Sequence, residues 1–267
     1  MEKDDIIKIA DELYERALDA NSYYAIIIQY SKLRKDYEEE MQLSPAFYNM
    51  TLSALQKACF MELAKLFEAS NEVVSIQGLL KCCDENKLYF PEYREEKNEK
   101  IGDEERIKTI PYQHYLRPSE EHFFKEEAAK QRKIAKIYGI LDDEHFKIKI
   151  DMTFSEKLDF YWKCICSYKK KIDSIRIQRN KFYAHNDKMC LLSNKSVWEE
   201  NPVAYEDIKI LIDFALECTI FILELLTDIV HTTEYTNIDD LEGTLMLVKK
   251  GLKYQNIEIN KQLNKYK

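Results

Sequence analysis

Arg179, Asn180, His185 and Asp187 fall within the nine-residue string "RNKFYAHND". These residue types suit phosphodiester chemistry. A guanidinium carries an effectively permanent charge, and its planar fork matches the oxygens of a phosphate. An imidazole titrates near neutral pH and can carry a proton in either direction.

The position of Arg179 sharpens the question. Leu158, Tyr161, Ile165, Tyr168, Ile172 and Ile175 are spaced three, four, three, four, three, and Arg179 is the next seam position. Such a heptad stripe faces other helices. A buried, unpaired guanidinium costs several kcal/mol, so Arg179 must either meet a carboxylate or face a cleft that takes an anion. Asp213, Glu217, Glu224 and Asp228 share one helical face and offer the carboxylate. His185 lies six residues beyond Arg179, which on a regular helix is about 600°, or about 240° round the axis. The two side chains therefore converge only if the helix ends or bends between them, or if a second copy of the chain supplies the missing group.

Several long helices must hold this string. Residues 4 to 40 carry apolar positions at helical spacing, among them Ile6, Ile9, Leu13 and Ala17. Ser44-Pro45 stops that helix and opens another that runs to about Ser70. Asn71 is a candidate cap for a shorter helix through "EVVSIQGLLKCC". Residues 84 to 117 are charged, proline-containing and aperiodic, and read as a loop or partly helical insertion. Pro118-Ser119 opens a helix that ends at Gly139, the seam helix starts at Ser155, Pro202 opens an acid-striped helix, and a last helix starts near Asp239. No strand pattern or repeat stands out. The expectation is an all-α antiparallel helical bundle, one domain over 1–267 with a charged insertion at 84–117.

Composition narrows the classes. Gly 5 and Pro 5 are few for 267 residues, which favours long helices. A net charge of -8 argues against a general nucleic-acid coat and leaves room for a local anion site. The run "SYKKKIDSIR" reads as a solvated helix face, with an RNA path as the other reading. The seven cysteines form no C-x-x-C pair and read as reduced core thiols. His114, His122, His145 and His231 lack ligand spacing, so no metal and no cofactor is expected. Residues 208 to 230 are long enough to span a bilayer, but their acids would cost about 2.5–3.5 kcal/mol each near its centre. The N-terminus has early acids and no apolar run, so the expected location is cytoplasmic with no membrane partner.

"RNKFYAHND" resembles the R-x4–6-H signature of HEPN domains, with five intervening residues and a polar residue directly after the arginine. The fuller string, together with "LSALQKACFMELAKLFEAS", looks most like the HEPN branch of the abortive-infection protein AbiU. The resemblance implies a helical bundle that forms a homodimer, with both copies of Arg179 and His185 lining one cleft. It also implies a metal-independent endoribonuclease of a toxin–antitoxin or phage-defence system, with an antitoxin or defence protein as a further partner. Arg179 would hold the scissile phosphate, His185 would move the proton, and Asn180 would orient one of them. Lys181, Tyr183, Asp187 and Lys188 would touch the RNA beside them.

Three readings stay open: this ribonuclease, a non-catalytic HEPN module that binds RNA or nucleotide, and a helical interaction protein of a defence system. The intact arginine, asparagine and histidine favour the first.

Overall fold

Scarce glycine and proline and long apolar stripes give long helices. A computed structural model describes residues 1–70, 72–97, 107–140, 146–180, 201–238 and 240–265. Its helices are α1 (Lys3–Leu33), α2 (Glu38–Met41), α3 (Pro45–Leu66), α4 (Ile76–Glu85), α5 (Lys125–Ile137), α6 (Phe154–Gln178), α7 (Tyr205–Thr227) and α8 (Leu241–Lys265). Helix α1 packs chiefly on α3 and α7, and α6 lies against α3, α4 and α7.

The core is where the stripes meet. Ile6, Leu13 and Ala17 of α1, Leu63 and Leu66 of α3, and Leu211, Ile212 and Phe214 of α7 are fully buried. All six expected seam positions of α6, from Leu158 to Ile175, are buried too. Tyr161 is fully buried and meets Phe214 and Phe221 edge-on. The apolar run that could have spanned a bilayer is α7, at the centre of the protein core. No helix among the described residues is long and apolar enough to cross a membrane.

Local chemistry sets the ends of α6, the helix that carries Arg179. Thr153 Oγ1 accepts from the Glu156 amide at 3.2 Å, and Glu156 Oε2 accepts from the Thr153 amide at 2.8 Å. This reciprocal cap satisfies two donors that the first turn leaves orphaned. At its other end the helix widens into a π turn at Arg179 and Asn180. Proline opens α3, as expected, and Gly139 ends the α5 segment with φ 71, a conformation that suits glycine. Helix α4 begins later than expected, at Ile76. Its cap is Ser75, whose Oγ accepts from the Gly78 amide at 3.3 Å, and Asn71 lies outside the described residues.

The expectation of no strands is corrected. β1 (Arg94–Lys97) pairs antiparallel with β2 (Ile107–Ile110), and β3 (Tyr112–Tyr115) with β4 (Lys149–Met152). In the second pair Tyr112 faces Met152 and His114 faces Ile150. Tyr112, His114, Ile150 and Met152 are buried, because this ribbon closes one side of the core. Much of the segment expected to be loop or partly helical is thus pinned by strand pairing and by Phe90, which stacks on Phe154 with centroids 4.5 Å apart.

Candidate functional site

The apolar seam of α6 delivers Arg179 to the edge of the core, where its side chain is 17% exposed. Its Nη1 donates to Glu68 Oε2 at 2.7 Å. Its Nε donates to Asn180 Oδ1 at 2.8 Å, so the neighbouring amide fixes the plane of the guanidinium. Glu68 lies just beyond the end of α3, and Arg176, one turn before Arg179, also reaches it: Nη2 is 3.4 Å from Oε1. Two arginines thus converge on opposite oxygens of one carboxylate. Burial pushes the Glu68 carboxyl upward. The Arg179 hydrogen bond, the Ala69 amide and the charges of both arginines outweigh this and hold it below the usual range.

The carboxylate partner of Arg179 is therefore Glu68. It is none of the α7 acids that shared a face in the sequence. Those acids have separate fates. Asp213 pairs with Lys209 at 2.7 Å, Glu224 is exposed, and Asp228 ends α7 in a left-handed conformation. Glu217 enters a second site, described below.

Just before Arg179, Gln178 is buried and its Nε2 donates to the Asn201 carbonyl at 2.5 Å. This bond ties the end of α6 to the residues that lead into α7. Of the expected site residues, the structure brings Arg179 and Asn180 together. His185, Lys181, Tyr183, Asp187 and Lys188 lie outside the described residues.

The lysine run of α6 takes a different direction. Lys169, Lys170 and Lys171 line a shallow groove with Asn201 and Pro202. Lys170 and Arg179 are nine residues apart, about 180° round the helix, so the groove backs away from Arg179. Lys171 pairs with Asp207, while Lys169 and Lys170 are exposed.

The structure also assembles a buried polar cluster that the sequence did not reveal. His114 Nε2 is 3.0 Å from Glu120 Oε2, and its Nδ1 is 2.9 Å from Glu217 Oε1. Arg117 donates from Nε to Glu120 Oε1 at 2.7 Å and reaches Glu217 Oε2 from Nη2 at 3.0 Å. Lys157 Nζ is 3.4 Å from Glu217 Oε1, and Tyr161 Oη donates to the same oxygen at 2.9 Å. Burial would lower the His114 pKa. Hydrogen bonds to Glu120 and Glu217 overcome that and raise it, as expected when both ring nitrogens face carboxylate oxygens. Burial pushes Glu217 up, but His114, Arg117 and Lys157 hold it far below the carboxylate range.

Linear spacing gave His114 no ligand partners, but the fold supplies them: ligand atoms of His114, Glu120 and Glu217 lie within 4.8 Å of one another. Their chemistry fits an ion network better than a metal centre. Arg117 and Lys157 already neutralise the two carboxylates, and a divalent ion would add charge to a balanced, buried set. Pro118 carries the turn that brings His114, Arg117 and Glu120 together. The readable signal was Glu217, an acid inside the apolar run "FALECTIF". Cys164 and Cys218 pack close by, and burial raises both thiols. Among the described residues Cys59, Cys83, Cys164 and Cys218 are buried, Cys82 is half-buried, Cys166 is exposed, and all six are free. Cys190 lies outside the described residues.

A mostly helical fold, with an R-x5-H string in the sequence from Arg179 at the end of α6, fits a HEPN domain of the kind associated with abortive infection. The family model for AbiU2 HEPN proteins matches residues 3–244, and the chain belongs to that family. The match spans the 84–117 segment and stops inside α8. No curated protein and no solved structure matches the chain.

Proposed function

We propose that the protein is a HEPN endoribonuclease of a phage-defence or toxin system, acting as a homodimer without a divalent metal. The observation that carries this reading is Arg179, delivered by an apolar seam to the core edge and oriented by Asn180 through a 2.8 Å bond. Membership of the AbiU2 HEPN family supports the same reading.

In this mechanism the Arg179 fork binds the scissile phosphate and stabilises the charge that develops on it. His185 takes the proton of the RNA 2′-hydroxyl or returns one to the leaving 5′-oxygen. Attack by the 2′-oxygen on phosphorus breaks the bond to the 5′-oxygen and leaves a 2′,3′-cyclic phosphate. DNA lacks the attacking hydroxyl and survives. Lys181, Tyr183, Asp187 and Lys188 lie along the RNA beside the scissile bond. The second copy supplies the other Arg179 and His185, and an antitoxin or defence partner keeps the dimer silent in the cell.

A second reading is a HEPN module that binds RNA or nucleotide without cutting it. The Glu68–Arg179 pair motivates it, because a guanidinium shared with a carboxylate offers less charge to an oxyanion developing in the transition state. Purified protein incubated with mixed cellular RNA in EDTA separates the two. Fragments ending in cyclic phosphate support the nuclease, and retention of intact RNA without cleavage supports the module.

A further inference from the structure

Arg176 is outside the R-x5-H string, yet it points at the same carboxylate as Arg179. Its Nη2 approaches Glu68 Oε1 at 3.4 Å while Arg179 Nη1 holds Oε2 at 2.7 Å. Among the described residues it also approaches Asp173, at 3.7 Å. The buried Nε of Arg176 has no hydrogen-bond partner among the described residues. A buried N–H left without an acceptor is destabilising. Among the described residues, the guanidinium is therefore held in a place where part of its donor set is unused.

Two guanidiniums one helical turn apart, each bonded to a different oxygen of one planar anion, make a clamp for an oxyanion. A phosphodiester presents the same feature, two non-bridging oxygens on one centre, and guanidiniums bind both anions through parallel N–H···O bonds. Glu68 and Arg179 are 16% and 17% exposed and Arg176 is 33% exposed, so the clamp opens at the surface rather than deep in the core.

We propose that Arg176 and Arg179 form a two-arginine clamp for a phosphate of single-stranded RNA, and that Glu68 fills this clamp in the free chain as an internal competitor. RNA must displace the Glu68 carboxylate to bind. Glu68 thereby sets a threshold on affinity, and Arg176 is an RNA-binding residue beyond the family string. This rests on the reading that the Arg179 site takes RNA, and it stands whether or not that RNA is cut.

The test is binding of a 2′-O-methyl oligoribonucleotide, which cannot be cleaved, measured by fluorescence anisotropy across a range of salt. Glu68→Gln keeps the shape of the side chain and removes its charge, and the oligonucleotide should bind it about ten-fold more tightly than wild type. Arg176→Gln should bind about ten-fold more weakly. Its salt slope should also be shallower by about 0.7, the loss of one phosphate contact on a single strand. A purely structural role for Arg176 would not change that slope. Thermal melts check folding. If Glu68→Gln does not fold, Glu68→Asp withdraws the carboxylate by one methylene and should also tighten binding. Binding that is unchanged or weaker in the folded Glu68 variant overturns the clamp, as does an unchanged salt slope in Arg176→Gln. Cleavage by wild type combined with either result sinks the clamp alone. Tighter binding by Glu68→Gln in a protein that cuts no RNA sinks the nuclease reading alone.

Discussion

Arg179 donates to Glu68 across 2.7 Å, joining the end of α6 to the end of α3 through residues 111 apart in the chain. Helix ends in a bundle are where charged groups can be both anchored and reachable. The bond makes Arg179 at once a structural residue and the candidate phosphate ligand. Its variants must therefore be judged on two readouts.

Arg179→Lys keeps the charge and loses the fork. The pair it weakens is partly exposed, so unfolding free energy should fall by about 1 kcal/mol or less. Cleavage should fall by about 10²-fold, the scale for losing one preorganised donor to a developing oxyanion. Denaturant melts and initial rates on one RNA check both. A variant with wild-type rate would remove Arg179 from the chemistry.

The buried cluster should be costly to break. Glu217→Gln leaves Arg117 and buried Lys157 facing a neutral amide at a half-buried position, and loss of one partner of such a network costs up to about 3 kcal/mol. Guanidinium-chloride titration should show the midpoint moving well below that of wild type. A shift no larger than that of a surface variant would mean the network contributes little.

The same cluster sets a pH dependence whose sign follows from its two shifts. His114 is raised above its ordinary value of 6.5, so its contribution is complete below that pH and is lost as pH rises through the folded value. Glu217 is depressed from 4.5, so its contribution is present above that value and is lost as pH falls through the folded one. The network therefore stabilises most between about pH 4.5 and 6.5. The melting temperature of wild type should decline above that window, and His114→Asn should flatten the decline. An unchanged slope in the variant would assign the decline to other groups.

The cleft proposed here needs two copies of the chain. Light scattering at tens of micromolar should give about twice the chain mass of 31.8 kDa. A monomer at that concentration would contradict a composite site.

The α6 seam was legible because a heptad stripe is a strong local signal, and each of its six seam residues, Leu158 to Ile175, is buried. The arginine at its end was legible for the same reason, as the first charge on an apolar stripe. Its partner was not, because Glu68 is far away in sequence and its neighbours "LFEAS" carry no mark of an ion pair. The strands escaped because each has only four residues, and β1 is "REEK", a charged stretch with no apolar alternation. The His114 cluster escaped because its parts come from β3, the Pro118 turn, α6 and α7. Only tertiary packing brings those elements together.

The central claim is that Arg179 and His185 cut RNA without a metal. The most direct measurement is the cleavage of cellular RNA in EDTA by the wild type and by folded His185→Ala, with the 3′ ends of the products identified. Wild-type fragments should end in 2′,3′-cyclic phosphate, and the variant should lose roughly 10²–10⁴-fold in rate. Cleavage that requires magnesium, or that proceeds at full rate in His185→Ala, would contradict it.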